Sequence, residues 1–407
     1  MIFYIDPGTG SMLFSIVIGL ATALYFVGKA VVIKLKQFFS GGKAVVSKNH
    51  VPLVIYSEGN RYWYVFKPVL EALEKRSIST LFYTSSEDDP VFEQGYEHIK
   101  SEYIGQGNKA FARLNFLEAD VCLMTTPSLD VLQLKRSKGV KHYSHIVHMV
   151  SDTTSYRLFG LDYFDSVLLS GEYQKKHIRV LEAQRNLPQK ELVVVGCTYL
   201  DVLAQRKKSL KVDEQKPFTV LVAPSWGVSS LLSRYGTELL DPLIASGLHV
   251  IIRPHPQSRQ VEAHILDELH ERYKNIDNIE WDYEAENLRS LAQADIMISD
   301  FSGVMFDYAF LFNRPFLYVD HDFDARPYDM YDVEDEPWQF KAVKKMGIEL
   351  KSEQFSSIAE VLKEAQAGSD LQHNRELEKA YAWQHQGESG ERVADFIVAK
   401  LRMKLDP

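Results

Sequence analysis

Short apolar runs alternate with amphipathic stretches from residue 51 onward. Residues 64–76 place Val65, Val69, Leu70 and Leu73 at helical spacing, as expected for a helix with one buried face. Strands that alternate with helices of about ten or more residues predict a parallel α/β sheet. The runs that we interpret as strands of this first half lie at 51–56, 81–83, 120–124, 145–150, 166–169 and 192–195.

The same pattern restarts after the charged segment 206–216, which we interpret as a linker. Predicted strands follow at 218–223, 248–252, 295–299 and 316–319. Two such halves predict two Rossmann-like domains that face each other across a cleft. In open α/β sheets, ligands bind at the carboxyl ends of the strands, so the loops after these runs are the first place to look for chemistry.

The amino-terminal segment has a different character. Residues 12–28 are almost continuously apolar, and the basic residues Lys29, Lys34, Lys36, Lys43 and Lys48 follow this run. A bilayer-spanning helix needs about 20 such residues, and the positive-inside rule places the basic side in the cytoplasm. We therefore expect one transmembrane helix at about 10–33. The alternatives are a cleaved signal peptide and a buried helix of a soluble domain.

Composition excludes several classes of protein. Lys+Arg 46 against Asp+Glu 55 gives a net charge of -9, which makes nucleic acid an unlikely partner. Cys122 and Cys197 are the only cysteines, so a disulfide scaffold and a four-cysteine zinc site are excluded. The sequence has no G-x-G-x-x-G after its first strand, no Walker phosphate loop and no G-x-S-x-G elbow, which disfavours nicotinamide, flavin, P-loop and hydrolase chemistry.

The strongest candidate site follows the run 295–299. A strand that ends in Ser299-Asp300-Phe301-Ser302-Gly303 and leads into a helix directs free amides and the positive end of the helix dipole into the cleft. We expect Ser299, Asp300, Ser302 and Gly303 to bind a phosphate or diphosphate. Simple capping of the helix by Asp300 or Ser302 is the alternative.

Histidines supply the candidate acid and base groups. Arg253 and His255 lie in an R-P-H-P loop after a strand, where the arginine suits a phosphate and the histidine a donor or acid role. His142, His145 and His148 are spaced three apart, but on a strand they face opposite sides, so we expect no metal site. His148, near the end of its strand, is the candidate general base, or else a hydrogen-bonded structural histidine.

Two weaker candidates complete the predicted donor site. Ser225 lies in the loop after the strand 218–223. Glu286 begins a helix and is a candidate acceptor for ribose hydroxyl groups, although acidic residues are common at helix starts.

Three segments together resemble the CDP-glycerol glycerophosphotransferases, the teichoic-acid primases and polymerases of bacterial envelopes. They are R-P-H-P at 253–256, the S-D-x-S-x-x-x-F-D run at 299–307 and the upstream histidine at a strand end. The resemblance implies a GT-B fold and transfer of glycerol phosphate from CDP-glycerol to an acceptor hydroxyl, with release of CMP and no further cofactor. It also implies that His148 and His255 are catalytic and that Asp300 and Ser302 belong to the donor-phosphate loop.

The sequence pattern and the resemblance together predict a division of the chain. An anchor at 1–45 precedes an acceptor domain at 46–205, the linker 206–216, a donor-nucleotide domain at 217–365 and carboxy-terminal helices at 366–407, which we expect to pack on the first domain. Family members act on lipid-linked or polymeric acceptors at the inner face of the membrane, which agrees with a single-pass protein whose catalytic domains are cytoplasmic.

The chain departs from the family pattern at two positions. Met149 follows His148 where the family usually has a small residue, and Gly303 stands where many members have a second serine. A different donor, such as CDP-ribitol or a nucleotide sugar, therefore stays open. So do a glycosyltransferase, a nucleotide-sugar epimerase and a non-catalytic, membrane-anchored envelope-assembly protein. The sequence gives no oligomeric state.

Overall fold

Two parallel sheets, each covered by helices, carry the chain from Val51 onward. The computed structural model describes residues 50–211, 215–284, 286–320, 323–368 and 371–403. The transmembrane helix expected at about 10–33 lies outside these residues. None of the described helices combines the length and the hydropathy that crossing a bilayer requires.

The first sheet has seven strands in the order β3-β2-β1-β4-β5-β6-β7, and every pairing is parallel. Its strands are Val51–Ser57 (β1), Thr80–Thr84 (β2), Ile99–Tyr103 (β3), Glu118–Met124 (β4), Gly139–Ile146 (β5), Ser166–Leu169 (β6) and Glu191–Val194 (β7). The helices of this half are Trp63–Lys75 (α1), Asn108–Leu114 (α2), Gln174–Gln184 (α3) and Thr198–Lys207 (α4).

The second sheet has six strands in the order β10-β9-β8-β11-β12-β13, again all parallel. Its strands are Thr219–Val222 (β8), His249–Ile252 (β9), Ile279–Trp281 (β10), Ile296–Ser299 (β11), Phe316–Tyr318 (β12) and Ile348–Glu349 (β13). Its helices are Leu231–Ala245 (α5), Ser258–Val261 (α6), Ala263–Tyr273 (α7), Leu288–Gln293 (α8), Val304–Phe312 (α9), Trp338–Met346 (α10) and Ile358–Ala367 (α11).

Helices Gln372–Ala382 (α12) and Ser389–Arg402 (α13) end the described chain. The apolar face of α13 joins the core of the first half through Val393, Ala394, Phe396 and Ile397. Arg76 at the end of α1 adds ion pairs to two acidic residues of α13. Of the two carboxy-terminal helices, α13 therefore packs on the first half as predicted, whereas α12 packs on α10 of the second half through Arg375 and Glu378.

Edge strands are where the apolar pattern fails. β3, β10 and β13 lie at or beside sheet edges and were not predicted. A strand that is covered on fewer sides needs fewer apolar residues, and β3 reads Ile-Lys-Ser-Glu-Tyr with one buried position. The strand predicted at 145–150 was placed too far along the chain, since β5 spans Gly139–Ile146. Its polar members His142 and Ser144 are satisfied by the Ser166 hydroxyl at 2.9 and 2.7 Å.

A buried polar cluster joins the two halves. The imidazole of His177 on α3 lies between the carboxylates of Asp152 and Asp335, with Nδ1 3.2 Å from the first and Nε2 3.1 Å from the second. Burial alone would lower the pKa of His177, but hydrogen bonds and charge from both carboxylates raise it above its usual value. Gln339 on α10 accepts the amide of Asp152 at 3.0 Å. The loop after β5 is thereby fixed against the second half.

Gly390, in the first turn of α13, allows this helix to approach α1. A Cβ atom at this position would lie 2.6 Å from the Pro68 carbonyl oxygen. We expect Gly390→Ala to lower the free energy of unfolding by about 1–3 kcal/mol, because the clash outweighs the better helix propensity. Chemical unfolding followed by circular dichroism measures this. Gly368→Ala, whose Cβ would meet nothing closer than 3.6 Å, is the matched control. Equal stability of the two variants would contradict the packing argument.

Candidate active site

The predicted site residues lie at the end of β11 and in the loops that follow β5, β8, β9, β10 and β11, all at the carboxyl ends of parallel strands. In such sheets this edge is the ligand-binding edge, because the following helices begin there with free amide groups. The described structure therefore has its candidate residues where an α/β protein binds its ligand.

Asp300 organises the loops on the donor side. Its carboxylate is buried, and it accepts backbone amides from Ser225 at 2.8 Å, Leu231 at 2.8 Å and Ser302 at 3.2 Å. Burial raises the pKa of Asp300 to about 6, although these amide bonds favour the charged form. Asp300 thus fixes the paths of the loops around it.

Ser299, Ser302 and Gly303 surround this carboxylate. The Ser299 hydroxyl donates to the Ala223 carbonyl at 2.6 Å, which ties β11 to the loop after β8. Gly303 is the residue before α9, so the amides that begin this helix face the loop region. Ser302 is buried, and its hydroxyl has no hydrogen-bond partner among the residues that the structure describes. Of the three, Ser302 and Gly303 lie directly before the start of α9.

Gly303 also lies against the other half. A Cβ atom on Gly303 would be 3.4 Å from the Met149 sulfur and 3.4 Å from the Ser151 hydroxyl oxygen. These residues follow His148 in the loop after β5. The donor loop and the loop of the candidate base are therefore in direct contact.

His148 sits beyond the end of β5, half-buried among aromatic rings. Its ring centroid is 5.4 Å from that of Tyr62 and 6.3 Å from that of Tyr156. Its Nδ1 atom is buried without a hydrogen-bond partner in the described part of the chain, so Nε2 is the nitrogen that a substrate can reach. Burial lowers the pKa of His148 to about 4, and the charge of Arg61 adds to this effect. The ring is neutral at pH 7, as a general base requires.

His255 is fixed by its own loop. Its Nδ1 atom accepts the Gln257 backbone amide at 3.1 Å, so the neutral ring carries its proton on Nε2. Burial lowers the pKa of His255 to about 4; Glu262 opposes this shift and Arg61 adds to it. A neutral Nε2–H is a hydrogen-bond donor suited to a phosphate oxygen.

Two predicted donor-binding residues, Arg253 and Glu286, form hydrogen bonds and ion pairs within the protein. Arg253 donates to the Asp282 carboxylate at 2.5 Å and to the Glu284 carbonyl at 2.8 Å, so it fastens the R-P-H-P loop to the loop after β10. Glu286 accepts from the Tyr64 hydroxyl and pairs with Arg206 at 2.7 Å, both from the first half. In this conformation neither group is directed at a ligand.

The other two histidines of the H-x-x-H-x-x-H run have separate partners. His142 bonds Ser166, and His145 is fully buried with Nε2 2.9 Å from the Tyr156 hydroxyl. Within the described ranges, no group of three or more His, Cys, Asp or Glu side chains is arranged to hold a metal ion.

Sequence reasoning missed Arg61 and Tyr62. They form the short 3-10 turn Asn60–Tyr62 directly after β1, and Tyr62 packs on His148. The available signal was positional, since any loop at the carboxyl end of a central parallel strand faces the ligand edge. Asp307 was quoted only as part of a motif; burial raises its pKa to about 7, and Asn287 donates to it at 3.0 Å.

The arrangement combines a neutral imidazole with an accessible nitrogen, an opposing N–H donor and a helix start beside a polar loop. Such a set can remove a proton from a hydroxyl group while it binds the phosphate that the hydroxyl attacks.

Comparison with known proteins agrees with this chemistry. A profile of the family described as CDP-Glycerol:Poly(glycerophosphate) glycerophosphotransferase matches residues 122–399, which is more than half of the chain. The chain belongs to this family. The comparison with curated proteins gave no match.

Solved structures share the fold at low identity. The wall teichoic acid polymerase TagF is 16% identical, with a TM-score of 0.57 and coverage of 88% of this chain and 90% of that one. A variant of the same polymerase is 14% identical with a TM-score of 0.58, covering 95% and 99%. UDP-GlcNAc 2-epimerase from Neisseria meningitidis is 14% identical with a TM-score of 0.52, covering 87% and 100%. The GT-B-like α/β architecture is thus shown.

The contact between Gly303 and Met149 links the two positions at which the chain departs from the family pattern. A larger residue follows the histidine, and a smaller one directly precedes α9. We expect Gly303→Ser to crowd Met149 and to lower the free energy of unfolding by about 1 kcal/mol. Met149→Ala in the same chain should relieve this, with a coupling energy of about 0.5–1 kcal/mol.

Chemical unfolding of the four proteins of this double-mutant cycle measures the coupling. Gly303→Ser combined with Met403→Ala, an exposed methionine at the end of α13, should be additive. Additivity in the Met149 cycle as well would contradict the compensation.

Proposed function

We propose that this family member transfers glycerol phosphate from CDP-glycerol to a hydroxyl group of a membrane-linked acceptor and releases CMP, in the synthesis of a teichoic-acid-like or capsular envelope polymer. The donor is the only nucleotide required, and the mechanism below uses no further cofactor. The observation that carries the proposal is the meeting of the His148 loop with the phosphate loop at Gly303.

The proposed step is a substitution at the β-phosphorus of the donor. The acceptor oxygen forms a new bond to this phosphorus, and the bond from phosphorus to the CMP oxygen breaks. His148 Nε2 takes the proton of the attacking hydroxyl. The Nε2–H group of His255, the Ser302 hydroxyl and the amides that begin α9 stabilise the charge that develops on the phosphate oxygens. Asp300 holds these groups in place, and Arg253 holds the loop of His255.

The membrane enters this proposal through the amino-terminal segment. Its apolar run at 12–28, followed by lysines, supports a single-pass anchor with both halves on the cytoplasmic side. An enzyme fixed there meets lipid-linked acceptors in two dimensions and its soluble donor from the cytoplasm.

A donor panel tests the reaction. The full chain is incubated with a membrane-extract acceptor and CDP-glycerol, CDP-ribitol or UDP-sugars, and CMP, CDP and UDP are quantified. We expect CMP from CDP-glycerol, and a loss of about 10²–10⁴-fold in rate for His148→Ala and for His255→Ala. His373→Ala, at an exposed histidine on α12, is the matched control.

Three outcomes would count against the proposal. UDP release would make the protein a sugar-nucleotide enzyme. CMP release from CDP-ribitol alone would change the donor. Full activity of both histidine variants would remove the assigned roles.

The pH dependence of the reaction tests the state of His148. Its base form is neutral, and burial lowers the pKa to about 4, so the group loses activity only when the pH falls through that value. Asp300, whose pKa is raised to about 6, titrates in the same range, so the limb that belongs to His148 is identified as the one that His148→Ala loses. We expect this limb at about 4, whereas an ordinary histidine would titrate at about 6.5. Circular dichroism at each pH separates this decline from unfolding. A midpoint near the ordinary value would refute the assignment of a buried base.

A further inference from the structure

The loop that carries the candidate base is tied to the second half through His177. This loop, residues 148–155, begins with His148, and its members Met149 and Ser151 face Gly303, directly before α9. A displacement of the loop therefore changes the position of the base relative to the loop before α9. Misplacing a reacting group by about 1 Å can cost about 10²-fold in rate, so whatever fixes this loop matters for catalysis.

Both ring nitrogens of His177 face carboxylate oxygens. Nδ1 lies 3.3 and 3.2 Å from the two oxygens of Asp152, and Nε2 lies 3.1 Å from an oxygen of Asp335. A neutral imidazole has one N–H group and one lone pair, so it would direct that lone pair at one of the two carboxylates. The geometry therefore requires the charged imidazole, which donates from both nitrogens.

The two carboxylates differ in their other partners. Asp335 also pairs with Lys176 at 2.7 Å and with Lys341 at 2.6 Å. Asp152 accepts the amide and the hydroxyl of Thr154 at 3.0 and 2.7 Å, and His177 is its one cationic partner among the residues that the structure describes.

Loss of the His177 proton would therefore act on the loop of the candidate base rather than on Asp335. The side chain of Asp152 is 1% exposed, so its charge would be left buried without a counter-charge, which is strongly unfavourable. Asp335 would keep both lysines.

The other titratable side chains near His177 have partners of their own. Those that line the adjoining cavity of about 440 Å³ are Tyr173, Glu336, Lys345, Glu378 and Tyr381. Glu336 pairs with Lys344 and Glu378 with Lys345, each at 2.8 Å. The Tyr173 hydroxyl donates to the Val150 carbonyl, and its ring packs on Tyr381. His177 is thus the member of this cluster that suits a change of charge near neutral pH.

The direction of this pH dependence follows from the two carboxylates. Burial lowers the pKa of His177, but hydrogen bonds and charge from Asp152 and Asp335 raise it above the ordinary value of about 6.5. A group with a raised pKa in the folded state contributes its full stabilisation below the ordinary value and loses it as the pH rises through the raised one. The contact between the halves should therefore weaken on the alkaline side, opposite to the titration of His148.

We propose that the charged imidazole of His177 is a positioning group for the candidate base: paired with Asp152 and Asp335, it holds the loop 148–155 where His148 can act on the substrate, and loss of its proton releases this loop. This inference rests on the proposed function, since it assigns a positioning residue to the same site. His177 touches no substrate and acts through Asp152.

The kinetic test follows CMP release by the full chain as a function of pH. At about pH 6.5 we expect His177→Gln to lower kcat about 10- to 100-fold, with little change in KM for the donor. The wild type should lose activity as the pH rises through the raised pKa of His177, and the variant should lack this alkaline limb.

Two further variants complete this test. His177→Gln combined with Asp152→Asn replaces the ion pair by a neutral hydrogen-bonded pair, and it should recover much of the rate and also lack the limb. His249→Gln is the matched control, because His249 also lies beside a carboxylate, that of Glu280 at 3.8 Å. An alkaline limb that persists unchanged in His177→Gln would overturn the proposal.

Hydrogen exchange followed by mass spectrometry tests the loop without any substrate. At one pH, the amides of 148–155 should exchange faster in His177→Gln than in the wild type, and the double variant should be close to the wild type. Equal exchange in His177→Gln and the wild type would overturn the proposal. If His177→Gln does not fold, a wild-type series corrected for intrinsic exchange decides instead, and protection of this segment that does not change with pH would overturn the proposal.

The same measurement separates this inference from the proposed function. If the wild-type chain releases no CMP from any donor, the proposed function fails, and hydrogen exchange still decides whether His177 holds the loop. CMP release together with loop exchange that is unaffected by His177→Gln would refute this inference alone.

Discussion

The donor side of the cleft depends on the burial of one carboxylate. Asp300 draws the amides of Ser225, Leu231 and Ser302 onto its two oxygens, so one side chain defines the paths of two loops and the start of α5. Removing a carboxylate from water is unfavourable, and only several well-placed N–H donors offset that cost. Because the donors are backbone amides, the loops must follow paths that bring these amides to the Asp300 carboxylate. The same contacts fix the positions of Ser302 and of the neighbouring Gly303.

The two histidines depend on desolvation in another way. Burial lowers the pKa of both His148 and His255, and the charge of the exposed Arg61 lowers both pKa values further. A neutral imidazole has a lone pair that can accept a proton, whereas a charged imidazole has none to offer.

Much of this was readable from the sequence. The α/β class, most interior strands and the strand–loop–helix unit around Asp300 were predicted, because buried parallel strands are apolar on both faces. The edge strands β3, β10 and β13 were not, since exposure relaxes that pattern. The assigned roles of Arg253 and Glu286 show a second limit. Their position in the chain was clear, but their engagement with Asp282, Tyr64 and Arg206 depends on contacts between distant segments. Met149 and Gly303 likewise looked like two independent departures until their contact was seen.

The return of α13 to the first half makes the second half an insertion within the first. The chain crosses between the halves twice, once from α4 to β8 and once at 383–388. The second crossing is held by Asp201 of α4, which accepts from the Trp383 indole at 2.9 Å and from the Gly387 amide at 2.8 Å. Two crossings define a line, and a rotation about that line is the relative motion that bends both connections least. Such a rotation would therefore leave the contacts of Asp201 with Trp383 and Gly387 nearly unchanged.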